Sequence, residues 1–133
     1  MILLPLLLMA AAVPDEREPD CGNPITQLEM NRCAWLEFEE ADKALNGQWA
    51  KTSAVMKERD ADYGDLYQDG RPGYFAVLLE GQRAWLKYRQ GHCAAEGYEA
   101  RGGSMEPMLV SGCMARLTKL RTQELRELVE YPE

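Results

Sequence analysis

The chain has 133 residues and a formal net charge of −7, from 22 acidic and 15 basic side chains. This length allows one domain with one hydrophobic core and excludes a second domain of ordinary size. Its excess of negative charge repels nucleic acid and anionic membranes and attracts cationic partners. We therefore expect a single acidic domain, whose charge either keeps it soluble or favours a cationic partner.

The first 25 residues are predicted to lie outside the folded domain. Residues 1–12 hold a short apolar run followed by three alanines, which is typical of a signal peptide and too short for a membrane span of about 20 residues. Because no Lys or Arg precedes this run, the leader is either clipped at its start or non-standard. Residues 13–25 carry three prolines and an acidic cluster, which predict a flexible acidic arm. The leader indicates a periplasmic or secreted protein.

The rest of the chain, residues 26–130, shows helical periodicity. Its apolar side chains recur at three- and four-residue steps, and no stretch alternates apolar and polar residues as a half-buried strand would. Turn-forming segments divide it into three parts. The sequence therefore predicts an all-α fold, an antiparallel three-helix bundle in which the chain runs up, down and up.

Capping signals and turn formers set the predicted helix boundaries. Thr26 and Glu29 have the spacing of a capping box, so the first helix should begin there. The apolar stripe is lost over residues 57–73, where aspartates, glycines and a proline predict an acidic loop. The second helix is predicted over about 74–92. Ser104 is the predicted N-cap of the third helix, which should continue to about residue 129.

Four cysteines, at positions 21, 33, 93 and 113, should all lie at one pole of this bundle. An even number of cysteines behind a leader predicts disulfides, and three pairings are open. We favour Cys21 with Cys33 and Cys93 with Cys113, because each pair closes a short loop, and we keep a Cys33–Cys93 bridge as the alternative. Neither pair has the two- to four-residue spacing of a structural zinc site. We therefore expect neither a metal nor another cofactor.

Catalytic motifs are missing from the sequence. The single histidine, His92, precedes Cys93, whose thiol a disulfide would consume, so we predict a surface or helix-end role for it. No serine has the context of a nucleophile elbow, and no glycine-rich phosphate loop follows a strand. Residues 60–71 begin like a calcium-binding loop but lack its central glycine and its final glutamate. The sequence therefore favours a protein that is not an enzyme.

Several polar side chains fall on the apolar stripes of the first two helices. Asn31 and Asp42 lie at core-facing steps of the first helix, and Gln82 and Arg89 lie at those of the second. Because burial of an unpaired polar group is costly, we predict that Asp42 pairs with Arg83 or Arg89. Asn31 and Gln82 should bond to groups across the bundle. We interpret this core polar network as a device that fixes helix register, in preference to a ligand pocket.

These positions belong to a longer set of residues that resembles the LprI-like family of lysozyme inhibitors, over about residues 21–128. On the first helix the resemblance lies in Thr26, Gln27, Glu29, Met30, Asn31, Cys33, Ala41, Asp42, Leu45 and Asn46. On the second it lies in Gln82, Arg83, Ala84, Trp85, Leu86, Tyr88, Arg89 and Cys93. On the third it lies in Gly103, Ser104, Met108, Cys113, Leu117, Thr118 and Arg121. Gln90 departs from the pattern, since the family usually has an acidic residue there.

The resemblance implies a small, helical, disulfide-linked bacterial domain that is exported and inhibits lysozyme. A cationic lysozyme would be attracted by the negative charge of this chain. The candidate contact surface is the acidic loop with Asp60, Asp62, Asp65 and Asp69, and the alternative is that this loop is only a solvated linker between two helices. The alternative function is a non-catalytic structural or adaptor module that binds another envelope protein. The oligomeric state stays open.

Overall fold

A computed structural model of the protein describes residues 18–130. Three α-helices occupy most of this range: α1 (Gln27–Tyr63), α2 (Tyr74–Gly97) and α3 (Glu106–Glu127). No strand occurs between residues 18 and 130, and the predicted all-α fold is confirmed. Within that range, no helix is both long and apolar enough to span a bilayer. The predicted leader and the beginning of the predicted arm lie outside the described residues.

The helices pack as an up-down-up bundle. Near the beginning of α1, Gln27 contacts Met108 of α3, and towards the other end Thr52 contacts Leu125 of α3, so these two helices are parallel. Helix α2 runs antiparallel to both, because a short turn joins its end to the beginning of α3. The arrangement is the one predicted from the three helical stretches.

Two disulfides lie at the end of the bundle where α1 and α3 begin and α2 ends, which we call the disulfide pole. One joins Cys21 to Cys33 and the other joins Cys93 to Cys113. These are the two pairs that close short loops. The first bridge attaches the residues before α1 to that helix, and the second connects α2 to α3. The opposite end, which we call the loop pole, carries no disulfide.

Helix α1 is longer than predicted. It begins as expected, because the Thr26 and Glu29 side chains each bond to the backbone of the other residue in a complete capping box. It then continues to Tyr63, whereas the acidic loop was predicted from residue 57. The predicted boundary is wrong because residues 57–61 lie outside the core but are mostly good helix formers. The apolar stripe therefore ends before the helix does.

Helices α2 and α3 also differ from their predicted boundaries. Helix α2 continues five residues beyond His92 to Gly97, which is buried where a β-carbon would collide with Val110 of α3. Ser104 is not the N-cap of α3. That position belongs to Met105, which makes no side-chain capping bond, and a proline in the first turn helps to start the helix.

The hydrophobic core has two parts that meet at Trp85. The part nearer the loop pole consists of Leu45, Met56, Leu78 and Leu125. The part nearer the disulfide pole consists of Cys93, Cys113 and Leu117. Trp85 packs against both parts. The second disulfide is therefore itself part of the core.

Candidate functional site

The predicted core polar network centres on Arg89, whose side chain is only 6% exposed. One of its terminal nitrogens donates to Asp42 Oδ1 at 2.9 Å and to Thr118 Oγ1 at 2.8 Å. Its guanidinium carbon lies 5.1 Å from the ring centre of Phe38 and 5.0 Å from that of Trp85. Arg89 therefore links all three helices through charge-assisted hydrogen bonds and cation–π contacts.

The other predicted members of the network behave differently from one another. Gln82 is buried and accepts a hydrogen bond from Arg121 Nε at 2.9 Å, and Asn31 donates to the backbone carbonyl of Ser104 at 2.9 Å. The first contact joins α2 to α3, and the second joins α1 to the turn before α3. Arg83 is exposed, so its inclusion in the network was wrong: it follows the buried stripe position by one residue, which turns it outward by about 100°. The network therefore holds parts of the bundle together.

Two of the four aspartates predicted to bind a partner are engaged within the protein. Asp60 belongs to α1, and its two carboxylate oxygens accept from the backbone N–H groups of Tyr74 at 2.6 Å and Phe75 at 3.0 Å. It therefore caps the positive N-terminus of α2. Asp69 accepts from the backbone and side chain of Arg71, whose side-chain hydrogen bond holds the pKa of Asp69 below its ordinary value of 3.8.

The other two aspartates, Asp62 and Asp65, are exposed and make no ion pair among residues 18–130. Asp62 lies in the last turn of α1, and Asp65 lies in the short 3-10 helix Gly64–Leu66 that follows. Three exposed side chains stand beside them in the chain: Tyr63, Leu66 and Tyr67. We call these five residues the acidic tip. Tyrosines are enriched in protein-binding surfaces, and carboxylates beside them fit the polar rim of such a surface.

A groove of about 870 Å³ opens beside the acidic tip, between the end of α1, the loop, the beginning of α2 and the end of α3. Its apolar and aromatic lining consists of Met56, Tyr67, Pro72, Tyr74, Val77, Leu78 and Leu128. Asp60, Asp69 and Arg71 supply its polar groups. This volume lies in the range of about 300 to 1,000 Å³ that is usual for binding sites.

Sequence reasoning missed this groove, because its walls come from four separate segments of the chain. One local signal was available. Val77 directly precedes the buried stripe residue Leu78 and is itself 55% exposed, so an apolar side chain stands outside the core-facing stripe of α2. A single exposed apolar residue is ordinary on a protein surface, however, and only the fold shows that several of them meet.

A second group of polar side chains lies at the disulfide pole. His92 Nε2 is 3.0 Å from Glu96 Oε1, and Arg116 also bonds to Glu96, which lowers the pKa of that carboxyl below 4.5. The sulfur of Cys113 lies within 4.8 Å of these ligand-type atoms. That sulfur is bonded to Cys93, so it provides no thiolate. The group is an ion-pair cluster, and His92 lies within α2 and not at its end.

Comparisons with known proteins found one family and one relative that match most of this chain. A family model described as the lysozyme inhibitor LprI matches residues 20–125, a range that holds both disulfides, α1, α2 and nearly all of α3. An uncharacterized protein of Rhizobium meliloti (strain 1021) is 45% identical over 128 residues, which cover 96% of this chain and 91% of that protein. No solved structure matches the chain significantly. The disulfides and the family together indicate an extracytoplasmic location. The chain belongs to the LprI lysozyme inhibitor family.

Proposed function

We propose that this protein is a periplasmic or secreted inhibitor that binds a cationic lysozyme and sterically blocks its active-site cleft. The observation that carries the proposal is the family match, which spans the disulfide-linked bundle. The net charge of −7 supports it, since an anionic domain is attracted to a cationic enzyme from a distance. Steric blocking requires neither catalytic groups nor a cofactor.

The acidic tip is the proposed contact surface. Asp62 and Asp65 are the predicted partner-binding aspartates whose carboxylates have no ion-pair partner among the described residues, so they are available to Lys or Arg of another protein. The neighbouring tyrosines can supply contact area at low cost in side-chain entropy. Asp60 and Asp69 support this surface indirectly, by holding the beginning of α2 and the turn at Arg71.

The direct test is lysis of bacterial cells or peptidoglycan by a chicken-type lysozyme, with and without the oxidised domain, at low and moderate salt. We expect dose-dependent inhibition that weakens as salt shortens the range of the charge interaction. If a folded, fully oxidised sample does not inhibit at large molar excess, the proposal is wrong for this lysozyme class. The adaptor alternative would then be favoured.

Charge variants test whether the acidic tip makes the contact. The double substitution Asp62→Asn and Asp65→Asn removes two negative charges at the tip, and we expect inhibition to weaken about fivefold. The double substitution Glu39→Gln and Glu40→Gln removes two charges from exposed positions of α1 outside the tip and is the matched control. Equal losses in both variants would assign the effect to net charge and contradict a contact at the tip.

A further inference from the structure

The groove at the loop pole leaves large apolar side chains open to solvent on several of its walls. Tyr67 is 61% exposed, Val77 is 55% exposed and Leu128 is 45% exposed, and all three line the same cavity. Apolar side chains that meet in one groove differ from exposed residues scattered singly, and grooves of this kind are where proteins bind other molecules. No side chain among residues 18–130 fills this cavity.

The charge around the groove indicates which kind of molecule it can bind. Residues 57–71 carry five acidic side chains, Glu58, Asp60, Asp62, Asp65 and Asp69, against the basic Lys57, Arg59 and Arg71. A second copy of this chain would bring the same negative region and a further net charge of −7 towards it. Anionic lipid would be repelled in the same way. The surroundings therefore favour a cationic protein surface.

We propose that the groove is the anchor site of the inhibitor interface and receives an apolar or aromatic side chain that projects from the cationic surface of the partner. This inference rests on the proposed function. Asp62 and Asp65 then pair with basic residues around that projecting side chain. Desolvated apolar anchors near the centre of an interface supply most of its binding energy, whereas charges at the rim mainly increase the association rate.

This division of roles can be measured by surface plasmon resonance with immobilised chicken-type lysozyme. Val77→Trp places a large ring in the groove, and we expect it to raise the dissociation rate at least tenfold while leaving the association rate within twofold. Leu120→Trp is the matched control, because Leu120 is also 55% exposed and on a helix but does not line the groove. We expect both rate constants of the control to stay within twofold of wild type.

A truncation provides a second variant that does not depend on how the tryptophan fits. Tyr67→Ala removes an exposed side chain that lines the groove from outside the helices, and should raise the dissociation rate about fivefold or more. Tyr98→Ala, at an exposed tyrosine of the other pole, is its control and should stay within twofold. The circular dichroism of all four variants should match that of the wild type.

The outcomes separate this inference from the function on which it rests. If wild type binds and inhibits but the groove variants match their controls, the anchor site is wrong and the proposed function stands. If wild type neither binds nor inhibits, both are overturned. If sedimentation shows a wild-type dimer that Val77→Trp dissociates, the groove belongs to a second copy and the inference is overturned.

Discussion

Arg89 places a permanent positive charge inside the bundle, between the rings of Phe38 and Trp85. The sequence showed that this charge needed a partner, because it occupies an apolar stripe, but it left two candidate arginines for Asp42. The fold selects Arg89 since Arg83 turns outward into solvent. Residue type and periodicity were enough to predict that a polar network exists. The identity of Thr118 as the second acceptor depends on how deeply α3 packs, which no local pattern encodes.

Substitution of Arg89 tests the structural role of this residue. Arg89→Ala leaves Asp42 and Thr118 without their charged donor and opens space between two rings, so we expect a loss of about 3 kcal/mol in the free energy of unfolding. Arg83→Ala on the same helix should change it by less than about 0.5 kcal/mol. Urea unfolding of both variants measures the difference.

Binding measurements on the same variants check the interpretation of the network. If Arg89 only holds the helices together, a folded sample of Arg89→Ala should bind lysozyme as tightly as wild type. A variant that keeps its stability but loses binding would show that Arg89 belongs to a ligand site, contrary to our interpretation.

At the scale of elements, the beginning of α1 could be predicted and its end could not. The capping box at Thr26 is a local pattern of four residues, so the sequence contains all of it. The end of α1 is coupled to Asp60, which reaches 14 residues along the chain to the N-terminus of α2. Gly73 permits this approach, because a β-carbon there would lie 2.6 Å from Asp60 Oδ1. Asp60 was predicted to lie in a loop, and this contact instead makes it a cap of α2.

Removal of this cap should destabilise α2. Asp60→Ala leaves the backbone N–H groups of Tyr74 and Phe75 without their acceptor and removes a negative charge from a helix N-terminus. We expect the free energy of unfolding to fall by about 1 to 2 kcal/mol, as for other N-cap removals. Thermal and urea unfolding followed by circular dichroism give this value.

Asp62→Ala provides the comparison for the cap, since Asp62 lies two residues further along the same helix and accepts no hydrogen bond among the described residues. A negative charge in the last turn of a helix is unfavourable, so its removal should leave stability unchanged or slightly raised. Equal destabilisation by the two substitutions would contradict the capping role of Asp60.

At the scale of the whole molecule, several carboxylates couple stability to pH. Backbone N–H groups of Thr26 and Ile25 hold the pKa of Glu29 below its ordinary value of 4.5, and Arg116 does the same for Glu96. A carboxyl with a lowered pKa in the folded state stabilises the fold above its unfolded pKa, and the contribution is lost as pH falls through the folded value. The free energy of unfolding should therefore decrease below about pH 4.5.

Glu29→Gln isolates one part of this pH dependence. Glutamine can still accept the capping hydrogen bonds but does not titrate, so the variant should lose less stability than wild type between pH 5 and pH 3. Glu39→Gln, at an exposed position of α1, is the control for a change of charge alone. Identical pH profiles for wild type and Glu29→Gln, measured by urea unfolding, would show that Glu29 does not contribute.

The architecture of the molecule was accessible from the sequence, and its candidate binding surface was only partly so. Helical periodicity and the four cysteines predicted the three helices and the pole at which the cysteines lie. The sequence showed the four aspartates but not which of them are free to bind a partner. Asp60 and Asp69 already accept hydrogen bonds within the protein. The groove arises from four segments and had no signature in any one of them.

The most direct test of the proposed inhibition is the steady-state hydrolysis of a soluble chitin oligosaccharide by chicken-type lysozyme at increasing concentrations of the oxidised domain. A protein that occupies the cleft competes with substrate, so the apparent KM should rise with inhibitor concentration while kcat stays unchanged. No change in either parameter at large molar excess would contradict the proposed function. A fall in kcat at constant KM would contradict blocking of the cleft.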